Sequence, residues 1–205
     1  MKLNEFIKPD AEAKYWEKPV VDDLWAIDKL ILSKKLGYDC GPAGIKVTKA
    51  GDYIVRPCVN VFGLGMGAEK VYLKDKTNHL PLGTFWCEWF EGSHFTVDYD
   101  KGKQVRCVEG FKKENTLQRW DKWIRVDEDV PLHPLIKKHF GNRPKLNCEY
   151  IGGKLIEVHF RHNVDFEGDR QEYIPVWKGQ STTAPEGYKY IKNPDIHGRI
   201  GAFVK

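Results

Sequence analysis

No apolar run in the 205 residues approaches the ~20 positions that a membrane-crossing helix needs, and the opening Met-Lys-Leu-Asn-Glu-Phe-Ile-Lys-Pro-Asp has no apolar signal region. The chain is therefore expected to be cytoplasmic, with no membrane partner. Cysteine is sparse: Cys40, Cys58, Cys87, Cys107 and Cys148 are odd in number and contain no C-x-x-C pair. That pattern disfavours a disulfide framework or a zinc site and favours reduced thiols, four of them in apolar, strand-like surroundings. No internal repeat or low-complexity tract is present. A strong excess of one charge is also lacking. The net charge is +4 with the basic residues spread along the chain, so a nucleic-acid partner has little support. No Gly-Lys-Ser/Thr follows a glycine-rich stretch, which excludes a P-loop, and the helix and acidic ribose partner of a dinucleotide fingerprint are missing.

What is present is enough to build a core. Apolar residues make up 41% of the chain and seven tryptophans argue against disorder, so the length implies one medium domain or two closely packed lobes. Residues 1–23 are polar and Pro-interrupted, an N-terminal arm with Tyr15 and Trp16 as anchors. Leu24, Trp25, Ile27, Leu30, Ile31, Leu32 and Leu36 predict one helix from Asp23 to Leu36, with Gly37 as its C-cap. Strands are expected at 52–59, 69–74 and 82–90, the first with Arg56 at its end and Pro57 closing its ladder. Phe95–Asp100, Lys101-Gly102 and Gln104–Val108 read as a hairpin. The Trp-rich stretch 114–126 suggests a helix, and a short helix precedes Gly141. Strands outnumber helices and arrive as hairpins, so the expected class is α+β.

Residues 145–163 carry the most information. Leu146, Cys148, Tyr150 and Ile151 lead into Gly152-Gly153, and Leu155, Ile156, Val158 and Phe160 lead out, which is a hairpin signal. Within that apolar ribbon stand Glu149, Glu157, His159 and Arg161. Carboxylates seldom bury without a partner, and two that converge invite a divalent cation. Hard oxygen ligands beside an arginine suit Mg²⁺ carrying a polyphosphate. Strand parity sets a condition. A two-residue turn would pair Glu149 with Ile156 and send the acids to opposite faces, whereas a three-residue bulged loop would set Glu149 against Glu157. A solvated face with incidental charges is the other reading of this segment.

Four segments in order resemble the ATP-grasp superfamily, over roughly residues 23–165. They are Asp28-Lys29 with Leu36-Gly37-Tyr38-Asp39-Cys40-Gly41-Pro42; Tyr53-Ile54-Val55-Arg56-Pro57 with the glycine loop 63–67; Phe85–Gly92 with Phe95-Thr96-Val97-Asp98-Tyr99; and the hairpin Asn147–Asn163. The resemblance implies an α+β, ATP-grasp-like fold in which two lobes with antiparallel sheets grip a nucleotide. It implies a first lobe over 24–92, a second over 93–165 carrying the metal hairpin, and a C-terminal tail over 166–205 packed on the body.

It also implies roles. Lys29 and Arg56 would neutralise the phosphates of ATP, and Gly63, Gly65 and Gly67 would let backbone N–H groups approach them. Glu88, Trp89, Phe90 and Glu91 would form the adenine hinge. Glu149 and Glu157, with His159 and Asn163, would hold Mg²⁺, and Arg161 with Arg56 would stabilise charge in the reaction. Asp98 is expected to be structural, paired with Lys101 or Lys103, and His94 to be a satisfied core or surface group. Two departures stand out. The family's usual asparagine after the second glutamate is His159, a poorer Mg²⁺ ligand that Mn²⁺ would tolerate better. Only some 23 residues precede the Asp-Lys helix, where the family carries a substrate domain. The implied activity is an ATP-dependent ligase that activates a carboxylate as an acyl phosphate and joins it to an amine or thiol. The carboxylate would belong to a small molecule, peptide or protein, with a partner subunit as one source of the acceptor site. A non-catalytic nucleotide-binding protein and a phosphotransferase are the alternatives.

Overall fold

The computed structural model describes residues 21–59, 64–112, 117 and 119–205. The first departure from the sequence reading is at Asp28. Instead of one helix over Asp23–Leu36 there are two, α1 (Leu24–Ile27) and α2 (Lys29–Lys35), with Asp28 extended between them at φ −75° and ψ 108°. The Asp28 carboxylate accepts a hydrogen bond from the Ile31 N–H at 2.9 Å. A short acidic side chain competes with the helix for backbone donors and so favours the N-cap over the interior. Gly37, at φ 77°, ends α2 as the sequence implies. Its N–H reaches Lys34 O and the Tyr38 N–H reaches Ser33 O, both at 3.1 Å, the paired bonds of a Schellman cap.

The remaining elements in chain order are β1 (Cys40–Pro42), β2 (Gly51–Pro57), β3 (Glu69–Leu73), β4 (Thr84–Glu88), β5 (His94–Asp100), β6 (Lys103–Phe111), β7 (Lys122–Val126), α3 (Pro134–Phe140), β8 (Leu146–Ile151), β9 (Lys154–His159), β10 (Glu172–Trp177), β11 (Lys189–Ile196) and β12 (Arg199–Val204). The class is α+β, with the strands in two antiparallel sheets. Among the described residues no helix is long and apolar enough to cross a membrane. The five cysteines are free thiols. Burial pushes those of Cys87 and Cys107 up to about 12.

The described residues form two compact units. The first takes those of Met1–Gly92 together with Cys148–Arg161, and the second takes those of Ser93–Asn147 with His162–Lys205. In the first unit four strands run in the order β1-β4-β2-β3, with Arg56 opposite Phe85 and Cys40 opposite Cys87. Their core is Val47, Tyr53, Val55, Leu73, Leu80 and Trp86. The Tyr53 and Trp86 rings meet edge-on at 5.3 Å, and the indole N–H donates to Ile45 O at 2.9 Å. β9 packs against both α1 and α2, which sets the start of α2 beside the hairpin.

In the second unit six strands run in the order β11-β12-β10-β7-β6-β5. Their core gathers Val108, Phe166, Tyr173, Ala202 and Val204. The helix suggested over 114–126 is corrected within the described residues: Lys122–Val126 is strand β7, paired with Cys107–Phe111 of β6. Its aromatic and β-branched side chains suit a half-buried pleat better than a helix. The stretch after residue 166 builds three strands, with β12 between β10 and β11. Arg199, buried in that unit, bonds Asp165 Oδ2 at 2.7 Å and lies over the Tyr173 ring.

Candidate active site

The first unit brings Lys29, Arg56, Glu149, Glu157 and His159 together. Each position follows from a local feature. Lys29 is the first residue of α2, aimed by the Asp28 cap. Its backbone is tied by an N–H bond to Cys58 O at 2.8 Å, just past the end of β2. Arg56 lies near the end of β2, with its guanidinium over the Phe85 ring at 5.4 Å. Glu157 and His159 share one face of β9 by the two-residue strand period.

Glu157 is the hub. Its Oε1 lies 3.3 Å from Lys29 Nζ and 3.3 Å from Arg56 Nη1, and Arg56 Nη2 donates to Ile156 O at 3.1 Å. Its Oε2 lies 3.5 Å from His159 Nε2, which is 3.7 Å from Glu149 Oε1. Glu157 is 8% exposed and His159 7%, while Glu149 is half-buried. Burial alone would push the Glu157 carboxyl up. The Lys29 charge, a hydrogen bond from His159 and the Arg56 charge overcome it, opposed by Glu149, and hold it at about 2. Burial lowers the Lys29 ammonium, with Glu157 opposing and Arg56 adding to the fall.

One ligand atom from each of Glu149, Glu157 and His159 lies within 4.8 Å of the others. The hairpin turn is not the bulged loop that the parity argument asked for. β8 ends at Ile151 and β9 begins at Lys154, with Gly152 and Gly153 between them at φ 53° and 78°. The two acids converge without a third loop residue. Gly152 is required where it stands, since a Cβ there would lie 2.0 Å from Glu91 O. The turn is thus seated against the segment that follows β4.

That segment is the expected hinge. The Glu88 N–H donates to Asp39 O at 2.9 Å, and its Oε1 accepts from the Asp39 N–H at 3.2 Å. The Trp89 N–H donates to Asp52 O at 3.3 Å, and its ring carries Lys70 Nζ at 4.6 Å. Phe90 meets Tyr38 edge-on at 4.8 Å, and Glu91 is exposed. Of the glycine loop, Gly65 and Gly67 take φ 66° and 79° in a turn, while Gly63 lies outside the described residues. Arg161 is half-buried two residues beyond β9.

Asn163 belongs to the second unit and is engaged there. Its Oδ1 accepts from the Asp165 N–H at 2.9 Å, capping a 3₁₀ turn over Val164–Phe166, and its own N–H donates to Asp98 Oδ1 at 2.8 Å. Asp98 is structural in kind, with a different partner from those expected. Arg106 stands directly opposite it across β5–β6 and bonds it through Nε at 2.9 Å and through Nη2. A register shift between Asp98 and Tyr99 brings that arginine, rather than Lys101 or Lys103, into line. Asn147 Nδ2 adds bonds to Asp98 Oδ1 at 2.9 Å and Thr96 Oγ1 at 2.7 Å. Only the register shows this buried network; no sequence motif marks it. His94 packs edge-on against Trp120 and Trp123.

The donor set fits a divalent cation. Two carboxylate oxygens and one imidazole nitrogen converge in a mostly buried place, a chemistry that transition-metal sites and, less well, Mg²⁺ sites share. A polyphosphate is fitted by two buried cations on one side of that group. Buried Arg56 Nε has no hydrogen-bond partner among the described residues.

No protein-family model and no curated protein matches the sequence. Among solved structures the chain is similar to the L-amino acid ligase from Bacillus licheniformis, at TM-score 0.47 and 11% identity over 89% of this chain and 66% of that one. It is similar to the ATP-grasp ligase PsnB complexed with minimal precursor, at 0.42 and 11% over 70% of this chain and 53% of that one. It is also similar to D-alanine–D-alanine ligase from Bacillus anthracis complexed with ATP, at 0.36 and 15% over 66% and 55%. The chain thus spans about half to two thirds of the solved chains it is similar to.

Proposed function

We propose that the first unit binds ATP with a divalent metal, and that the protein is an ATP-dependent ligase joining a carboxylate to an amine or thiol. The observation that carries this reading is the split carboxylate of Glu157, with Lys29 and Arg56 on one oxygen and His159 with Glu149 beside the other. Cations for phosphate and acids for metal are thereby held against each other, as a metal–nucleotide complex requires.

In this reading Lys29 and Arg56 turn from Glu157 to the phosphates, and Arg56 grips bidentately. Gly63, Gly65 and Gly67 present backbone donors. Phe90 and Glu91 take the adenine edge, because the Trp89 N–H is already committed to Asp52. The metal, when bound, neutralises polyphosphate charge and orients the terminal phosphoryl group. The substrate carboxylate oxygen attacks the γ-phosphorus and the bond to the β–γ bridging oxygen breaks, releasing ADP. The nucleophile then attacks the acyl carbon, the bond to phosphate oxygen breaks, and phosphate leaves as the amine or thiol loses a proton. Arg161 stabilises the anionic charge in both steps.

A second reading has its own support. The internal neutralisation of Glu157 by Lys29 and Arg56 is what a purely structural ion cluster would also show. Thermal denaturation with and without ATP and Mg²⁺ separates the two. Ligand at about 100 times its dissociation constant adds about 2.7 kcal/mol, and no shift at millimolar nucleotide would refute the proposal. Where binding is seen, ADP release dependent on both an added carboxylate and an added amine or thiol marks the ligase. Release without the nucleophile marks a phosphotransferase.

A further inference from the structure

The geometry points to a centre that selects a first-row divalent transition cation over Mg²⁺, with His159 Nε2 as the selecting ligand. This deepens the reading above and rests only on its metal part. The first ground is the donor set. Mg²⁺ demands near-ideal octahedral oxygen ligation and dehydrates reluctantly, whereas Mn²⁺ and its heavier neighbours accept imidazole beside carboxylates. Here one nitrogen stands with two carboxylates, and His159 is buried at 7% exposure, so the ring cannot simply turn out to water.

The second ground is spacing. His159 Nε2 lies 3.5 Å from Glu157 Oε2 and 3.7 Å from Glu149 Oε1. Two donors each about 2.1 Å from a shared cation stand roughly 3–4 Å apart. The imidazole nitrogen therefore stands from each of the two carboxylates at the separation of a co-ligand. The third ground is how Glu157 is held. Lys29 and Arg56 both engage Oε1, which fixes the carboxylate plane and leaves Oε2 as a single, oriented ligand toward His159. Second partners of this kind orient a ligand and tune the metal it holds.

The test is calorimetric titration of the whole chain with MnCl₂ and, separately, MgCl₂, in wild type and in His159→Asn. Wild type is expected to bind Mn²⁺ at least about tenfold more tightly than Mg²⁺, and the variant to narrow that ratio by about tenfold. An unchanged ratio in the variant overturns the inference, as does failure of wild type to bind either ion. Should the variant not fold, spin-echo spectroscopy of Mn²⁺ on the wild type decides: ¹⁴N modulation from a bound imidazole supports the assignment, and its absence overturns it. Titration with ADP separates this result from the ligase reading. An ion held through nitrogen without ADP affinity sinks the ligase alone, and ADP affinity without ion preference sinks the present inference alone.

Discussion

Arg56 Nη1 lies 3.3 Å from Glu157 Oε1, joining residues 101 positions apart in the chain. With Lys29 on the same oxygen, this relationship sets how the site responds to change.

Glu157→Gln should destabilise the protein. Two acids facing one pocket would repel, so removing one charge looks harmless from the sequence. The structure reverses that sign, because the carboxylate lies between two buried cations that would be left uncompensated. Breaking such a pair costs about 3–5 kcal/mol. Urea denaturation of the variant should show a loss of that order, together with loss of metal-dependent ADP binding. A melting temperature equal to wild type would show that the ion cluster contributes nothing.

Acid should unfold the wild type through the same residue. Glu157 is held at about 2, below its ordinary 4.5, so its contribution is complete above the ordinary value and is lost as the pH falls from about 4.5 to about 2. At about 1.36 kcal/mol per unit, this amounts to roughly 3 kcal/mol. Stability measured by urea midpoint across that window should fall in wild type and fall less in Glu157→Gln. Parallel curves would mean that other carboxylates govern the acid limb.

Arg161→Ala should spare nucleotide affinity and abolish turnover. Thermal shift with ATP and Mg²⁺ reads the first, and single-turnover ADP release reads the second. Equal losses in both would move Arg161 from the chemistry to the binding of ATP.

Gly152→Ala should cost at least about 2 kcal/mol, because its Cβ would lie 2.0 Å from Glu91 O at a positive φ. Gly153→Ala is the control. At φ 78° with nothing within 4 Å, it should lose only about 1 kcal/mol from backbone strain. Equal urea midpoints for the two variants would dispose of the close contact.

Much of the fold could be read from local pattern. The Lys101-Gly102 and Gly152-Gly153 hairpins announce themselves because a positive φ between apolar alternations has few other uses. The sequence places Glu149, Glu157 and His159 within one hairpin, but strand parity makes their convergence depend on a bulged loop, and they converge across a two-residue turn instead. What local pattern missed depends on competition or on register. Asp28 sits amid helical periodicity, and only the contest between cap and interior splits the helix there. Trp123 and Ile124 satisfy both helical and strand periods, and pairing with β6 decides for the strand. The Lys29–Glu157 pair depends on how a helix and a distant strand meet, which no spacing rule reaches, and the Asp98–Arg106 pair depends on a register shift within its hairpin.

The contact of Gly152 with Glu91 O has a mechanical meaning. The acids ride on the hairpin and the proposed hinge residues ride on the strand end, and a backbone-to-backbone touch clamps these two supports at a set separation. A clamp made without side chains has no rotamer with which to yield. On the proposed reading, the span from base to terminal phosphate would thereby be measured out in advance, like a gauge cut to one length.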